Sequence, residues 1–393
     1  MMHIIHGNVF KFPGSITGTF LCLFAVVHAA GFLFSASSGA QGWDDFTRMR
    51  SIVPKGYVCY RAVKPVVIDG KLDDEAWTYI PWTDYFVDIE GMTKPQPCFR
   101  TQVKMLYDDT YFYVGADLED TNVWATLTKH DAVIFYDNDF EIFIDPNSDS
   151  QEYYEIEINA LNTEWDLFLV RPYKDFSPGM KPDNGWEIPG LKTAVFVSGT
   201  LNDPRDEDRG WSVEFAIPWS VLREYAHKPA PPRDGDQWRV NFSRVEYLPE
   251  IILATNVRKT GKSSLKKEDG TRCENWVWSP QGIINMHCPE KWGYVQFSSG
   301  KPGSVAFRPD QTESARVILH EIYYAQRDFH RKNNRWASSL DELGLFVHID
   351  KNPDKPLIIE QTGEGYRASV TVMLPGGIRK KISINQFSTV TVE

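Results

Sequence analysis

From about residue 52 to residue 300 the chain alternates apolar and polar positions in short runs broken by turn residues. That period of two is the signature of half-buried β-strands. Thr101–Leu106 and Tyr111–Leu118 alternate around Asp108-Asp109 and predict a β-hairpin. Phe140–Ile144 closes at Asp145-Pro146-Asn147, and Tyr153–Ile158 and Trp165–Val170 flank Asn159–Glu164. Thr193–Val197, Trp211–Ile217, Trp238–Val245, Trp276–Trp278 and Tyr294–Phe297 complete the set. Only Asp73–Trp77 and Trp219–Glu224 read as helical, the second with Pro218 at its entry. Short strands without a long amphipathic helix predict a mainly β fold, an antiparallel β-sandwich of jelly-roll type.

The pattern changes at residues 297–303, a linker by composition. Glu313–Lys332 then carries Ile318, Ile322, Ala325 and Phe329 at helical spacing, with Asn333-Asn334 as the stop. Ser339 and Glu342 make a capping box for a short helix ending at Gly344. Leu357–Glu360, Tyr366–Leu374 and Ile378–Ile384 read as strands, the last two joined at Pro375-Gly376-Gly377. The expected division is a signal peptide over 1–40, the β-sandwich over 52–300, and a small α+β domain over 301–393.

The signal peptide rests on the front end. Lys11 is followed by the apolar stretch Ile16–Phe34 and the small residues of Ser35–Ala40, with cleavage expected before Gln41. The competing reading is a retained anchor, since the stretch approaches the roughly 20 residues that span a bilayer; the small residues favour cleavage. The mature chain is then secreted, periplasmic or at the cell surface, without a membrane span. Cys59, Cys98, Cys273 and Cys288 remain, which permits disulfides in three connectivities, local pairs being Cys59–Cys98 and Cys273–Cys288. They lack the C-x-x-C or H-x-H spacing of a zinc site.

Composition narrows the function. Aromatics make up 13% of the 393 residues, with 13 Trp, 17 Tyr and 23 Phe, which is too much packing surface for a disordered chain. A formal charge of −11 argues against nucleic acid as a partner, because that affinity rests on Lys and Arg neutralising phosphates.

Five blocks now point to a family. Val67-Ile68-Asp69-Gly70-Lys71-Leu72-Asp73-Asp74-Glu75-Ala76-Trp77 comes first, then the hairpin around Tyr107–Ala116. Asn138–Asp145, Gly210–Trp219 and Trp238–Phe242 follow in order. Together they resemble family 9 carbohydrate-binding modules, a DOMON-like group, over about residues 52–300. The resemblance implies a jelly-roll-like sandwich that binds oligo- or polysaccharide without chemistry, in systems for polysaccharide use, with structural calcium as a frequent companion. The tail, from Tyr323-Tyr324-Ala325 through Ser338-Ser339-Leu340, resembles the globular part of type IV pilins.

Sugars offer apolar C–H faces ringed by hydroxyls, so they are held by aromatic plates and by carboxylate, amide or guanidinium groups. Phe135 and Tyr136 stand where the resemblance implies a plate. Asp139 and Glu141 lie two apart and share a strand face. Asn159 ends the next strand and Trp165 begins the one after. Arg244 and Glu246 share a face further on, and Trp278 and His287 close the candidate carbohydrate-binding set. Glu157 stands where the family carries a basic residue. Trp77, Trp211, Trp219 and Trp238 sit within the strand blocks and are expected in the core. Asp145 before Pro146 is expected to make a turn. Asp139 and Glu141 could also pair with Arg244 or hold calcium. No catalytic residue is expected, since G-x-S-x-G and Walker spacings are absent. The alternatives are a glycoside hydrolase using a carboxylate pair among Asp139, Glu141 and Glu246, or an assembly protein whose tail makes the contacts.

Overall fold

The computed structural model of the chain describes residues 42–177, 180–247, 250–252, 257–259, 274–345, 357–363 and 365–393. The expected signal peptide and Cys273 lie outside the described residues. A short helix, α1 (Trp43–Met49), opens the described chain. It is followed by β1 (Gly56–Arg61), α2 (Glu75–Thr78) and β2 (Val87–Asp88). The predicted hairpin is β3 (Thr101–Tyr107) and β4 (Tyr111–Glu119). Next come β5 (Asp139–Asp145), β6 (Tyr153–Asn159), β7 (Glu164–Leu169) and β8 (Lys192–Ser198). The chain continues through β9 (Gly210–Pro218), α3 (Trp219–Leu222) and β10 (Gln237–Glu246). A separate pair, β11 (Glu250–Ile252) and β12 (Val257–Lys259), precedes β13 (Glu274–Val277) and β14 (Gly293–Ser298).

One large curled sheet runs in the order β7-β6-β5-β10-β14-β1-β3-β4-β9-β8, with β13 on β10 and β2 on β13. Its two halves close over a common core. Phe140 of β5 lies 6.0 Å from Phe215 of β9, and Trp238 of β10 lies 5.5 Å from Trp219 of α3. Trp77, Trp211, Trp219 and Trp238 are all buried there, as expected from their place in the strand blocks. The pairing is antiparallel except around β1, which runs parallel to both β14 and β3. The sequence reading passes over β1 because Tyr57, Val58, Cys59 and Tyr60 form an apolar run without alternation, buried on both sides. Cys59 lies inside that strand while Cys98 is exposed, and both are free thiols, so of the pairings the cysteine count permits Cys59–Cys98 does not form.

Beyond the sandwich, α4 (Glu313–Asn333) ends at Asn334 in the left-handed conformation. The next helix, α5 (Leu340–Leu343), has Ser339 accepting the Glu342 N–H as its cap. A four-stranded sheet follows, β15 (Ile358–Gln361), β16 (Tyr366–Leu374), β17 (Ile378–Asn385) and β18 (Val390–Val392). Leu319, Ile322, Tyr323 and Tyr324 of α4 cover its apolar face at Tyr366, Ala368, Ile382 and Ile384. Phe46 of α1 stacks on Tyr324 at 5.3 Å. Every described residue belongs to one compact unit. No helix among the described residues is long and apolar enough to cross a membrane.

Candidate functional site

Strand β5 divides its residues between two environments. Phe140, Ile142 and Ile144 enter the main core, so Asp139, Glu141, Phe143 and Asp145 take the opposite face. Strand register then decides their neighbours. Glu141 faces Glu157 on β6 and Ser243 on β10, while Asp139 faces Asn159. Phe143 lies between Glu155 and Asn241, and Glu157 has Trp165 on its other side. Asp139, Glu141, Glu155 and Glu157 thereby share one buried sheet face.

Aromatic rings roof this face. The turn Ile134–Tyr136 sets the Phe135 ring 6.2 Å from Trp165 and 4.9 Å from Tyr136, and the Phe135 N–H donates to Glu157 Oε2 at 3.0 Å. Phe143, Tyr153, Trp165, Leu167 and Trp292 form a second apolar cluster against the same side. His287 reaches it from the β13–β14 loop, with its Nδ1 2.8 Å from the Tyr153 hydroxyl and its ring 4.3 Å from that of Tyr173. Burial holds the His287 imidazole neutral, down to about 3.

The electrostatics are unusual for a sheet face. Burial, then mutual repulsion, raises Asp139, Glu155 and Glu157 well above the ordinary carboxyl range. Burial pushes Glu141 up to about 7. None of the four has a basic side chain in ion-pair reach among the described residues. Asp139 Oδ1 accepts the Val245 N–H at 3.0 Å. Asp139 Oδ2, Glu155 Oε2 and Trp165 Nε1 are buried with no hydrogen-bond partner among the described residues, while the Ser243 hydroxyl hydrogen-bonds the Glu141 carboxyl. Buried polar atoms are nearly always partnered, so these exceptions set this face apart from the rest of the sandwich.

The structure separates the expected site residues. Phe135, Tyr136, Asp139, Glu141, Trp165 and His287 lie on or around this face. Asn159 lies at its edge with its amide fully engaged: Nδ2 donates to Leu127 O and Asp137 Oδ2, and Oδ1 accepts from the Leu161 and Thr163 N–H groups. The expected convergence with Arg244, Glu246 and Trp278 does not occur. Because Ser243 is the residue opposite Glu141, Arg244 and Glu246 fall on the other face, next to Phe242. There Arg244 meets Glu246 at 2.7 Å, donates to Thr101 Oγ1 and sits 5.3 Å from the Trp276 ring, fully buried. Trp278 packs on Phe242 in the main core. Neither Asp139 nor Glu141 pairs with Arg244. Asp145 makes its turn, accepting the Ser148 and Ser150 N–H groups.

Glu155 and Ser243 are the residues that sequence reasoning missed. The signal for Glu155 was present: Glu155, Glu157 and Asn159 repeat at every second position of β6, which marks a polar face. Ser243 becomes visible only through the β5–β10 register.

Residues 68–232 match the family model described as carbohydrate family 9 binding domain-like. Over this segment the chain is similar to family 9 carbohydrate-binding domains. The matched segment holds Asp139, Glu141, Glu157 and Trp165 and ends before Arg244, Trp278 and His287. An exoglucanase XynX from Acetivibrio thermocellus is 29% identical over 161 residues, which is 40% of this chain and 12% of that enzyme. An endo-1,4-beta-xylanase A from Thermoanaerobacterium saccharolyticum is 29% identical over 159 residues, 40% of this chain and 11% of its own length. The chain thus spans about one eighth of these relatives. Among solved structures, a family 9 carbohydrate-binding module from Caldicellulosiruptor kristjanssonii in complex with cellotriose is 17% identical. It covers 64% of this chain and 98% of its own, at a TM-score of 0.40.

Proposed function

We propose that the chain is an exported, non-catalytic carbohydrate-binding protein whose sandwich holds an oligo- or polysaccharide. The observation that carries this is the family 9 match over residues 68–232, which includes the strands bearing Asp139, Glu141, Glu157 and Trp165. The curated relatives matched through the same segment are named for action on glucan and xylan, so β-linked glucose and xylose polymers are the first ligands to try. Phe135 and Tyr136, both half-buried above the carboxyl-lined face, supply ring faces for C–H surfaces. Export rests on the leader-like residues 1–40.

The test is affinity-gel electrophoresis and calorimetry of the whole protein with cello- and xylo-oligosaccharides and their polymers. Retardation or saturable heat with one of them, weakened in Phe135→Ala and Tyr136→Ala, supports the reading. No interaction with any member of a broad glycan array overturns it and favours an assembly role for the tail. A hydrolase is the second reading, since Glu141 and Glu157 are facing carboxyl groups of the kind that glycoside cleavage uses. Sugar release from a polysaccharide panel, abolished by Glu141→Gln, would favour it.

A further inference from the structure

Two segments that carry rings into the aromatic roof are tied, on their other side, to the C-terminal domain. The first is the turn Tyr173–Asp175. Its half-buried Tyr173 ring packs in the same cluster as Phe135 and Trp165 and meets His287 edge-on at 4.3 Å. Burial, and then the nearby charges of Glu155 and Glu157, push the Tyr173 hydroxyl up, so that hydroxyl lies close to the carboxyl-lined face. The next two residues turn to α4. The Lys174 ammonium, paired with Glu290, donates to the Tyr324 hydroxyl at 3.0 Å, and the Lys174 carbonyl accepts from Arg327 at 2.8 Å. Asp175 is buried and accepts the Tyr323 hydroxyl at 2.5 Å, the Arg327 guanidinium at 2.8 Å and the Ser388 hydroxyl at 2.6 Å. The second segment is the β13–β14 loop. It brings Met286 and His287 to the roof and Glu290 to α4, where Glu290 accepts the Tyr324 hydroxyl at 2.6 Å.

Turns and loops have few backbone hydrogen bonds of their own, so such a wall stays where its side-chain ties hold it. Rings held in place before a ligand arrives bind it more tightly than rings that must be ordered on contact. We propose, resting on the sugar reading above, that the C-terminal domain sets the sugar affinity of the sandwich: Tyr323, Tyr324 and Arg327 are positioning residues that hold Tyr173 and His287 in the roof. Tyr323 and Tyr324 are fully buried neighbours on α4, and between them they reach both segments. The tail thereby becomes part of the binding module. The family 9 match over residues 68–232 includes Tyr173 but stops short of the β13–β14 loop and α4, so this support comes from outside the matched segment.

The experiment uses the full-length protein with Tyr323→Phe and Tyr324→Phe combined, which removes both hydroxyls and keeps both rings, and separately with Arg327→Met. Arg316→Met is the control, because Arg316 ties α4 to the β5–β6 turn instead, donating to the Ser148 carbonyl at 2.6 Å. Hydrogen exchange without sugar should run about tenfold or more faster than in the parent at residues 172–176 and 284–292 of the first two proteins, with β5 and β9 unchanged. Calorimetry with the cello- or xylo-oligosaccharide that the parent binds should show an affinity about tenfold lower in these folded variants, and parent-like in Arg316→Met. Faster exchange with parent-like affinity, the mark of a merely structural tail, overturns the proposal, as does parent-like exchange at both segments. If the combined variant does not fold, Tyr323→Phe and Tyr324→Phe are read singly. A parent that binds no sugar counts against the sugar reading, whereas exchange at the two segments still decides whether the tail holds them.

Discussion

The Glu214 carboxylate accepts the indole N–H of Trp77 at 2.8 Å through one oxygen. Its other oxygen accepts the backbone N–H groups of Asp69 and Gly70, at 3.0 and 2.9 Å. Two blocks that are far apart in sequence, residues 67–77 and 210–219, therefore meet at one side chain on β9. That contact explains why the Asp69-Gly70 turn and Trp77 occur together. The turn needs a positive φ, Trp77 needs a buried acceptor, and Glu214 serves both.

Gly70→Ala should destabilise the protein by about 1–3 kcal/mol or more. Its φ is +84°, and an added Cβ would lie 2.5 Å from the Val195 carbonyl carbon and the Phe196 nitrogen. Glu214→Ala should cost at least about 2 kcal/mol, because it leaves the Trp77 indole and two amides without their acceptor. Urea denaturation measures both.

Removing the Lys174 ammonium should be among the costliest single changes. Lys174 and Glu290 pair with side chains 2% exposed, and Tyr324 of α4 donates to the same Glu290 oxygen at 2.6 Å. Lys174→Met strands a buried carboxylate and should lose about 3–5 kcal/mol, much of which Lys174→Met combined with Glu290→Leu should restore. Chemical denaturation of the single and double variants checks this.

Acid sensitivity follows from the same pair. Burial opposes ionisation of Glu290, but the Lys174 ammonium outweighs it and holds the carboxyl down to about 2. A depressed folded-state value stabilises the protein above the ordinary glutamate range, and that contribution is lost as pH falls. The melting temperature should therefore drop between about pH 4.5 and 2, and Glu290→Gln should remove this part of the profile.

The two faces of the sheet can be told apart by ligand binding. Arg244→Met should destabilise by about 3–5 kcal/mol, since it isolates Glu246, while the folded fraction binds oligosaccharide as the parent does. Tyr136→Ala should weaken that binding about tenfold or more, equivalent to about 1.4 kcal/mol. Calorimetry on samples shown to be folded by circular dichroism separates the outcomes.

Much of the sandwich was legible in the sequence. The hairpin at Asp108-Asp109 and β9 at Gly210–Pro218 fall within one residue of expectation, because alternating burial writes itself into residue type. Helix α1 was not legible. Its seven residues bury only Phe46 and Met49, against partners from α4 and the β13–β14 loop that no local pattern announces. The candidate site was half legible: Asp139 and Glu141 show their common face by spacing alone, whereas Arg244 and Glu246 show a common face without revealing which one.

Local alternation and blocks read in order are enough for the β-sandwich class, the core tryptophans and the family 9 resemblance. Which polar groups share an environment is set by long-range strand pairing, which no local pattern encodes. That depends on how β10 aligns with β5, and a shift of one residue would have placed Arg244 beside Glu141 and Glu157. The observed register puts Ser243 there instead, sends the arginine through to the core face, and leaves the carboxyl groups together.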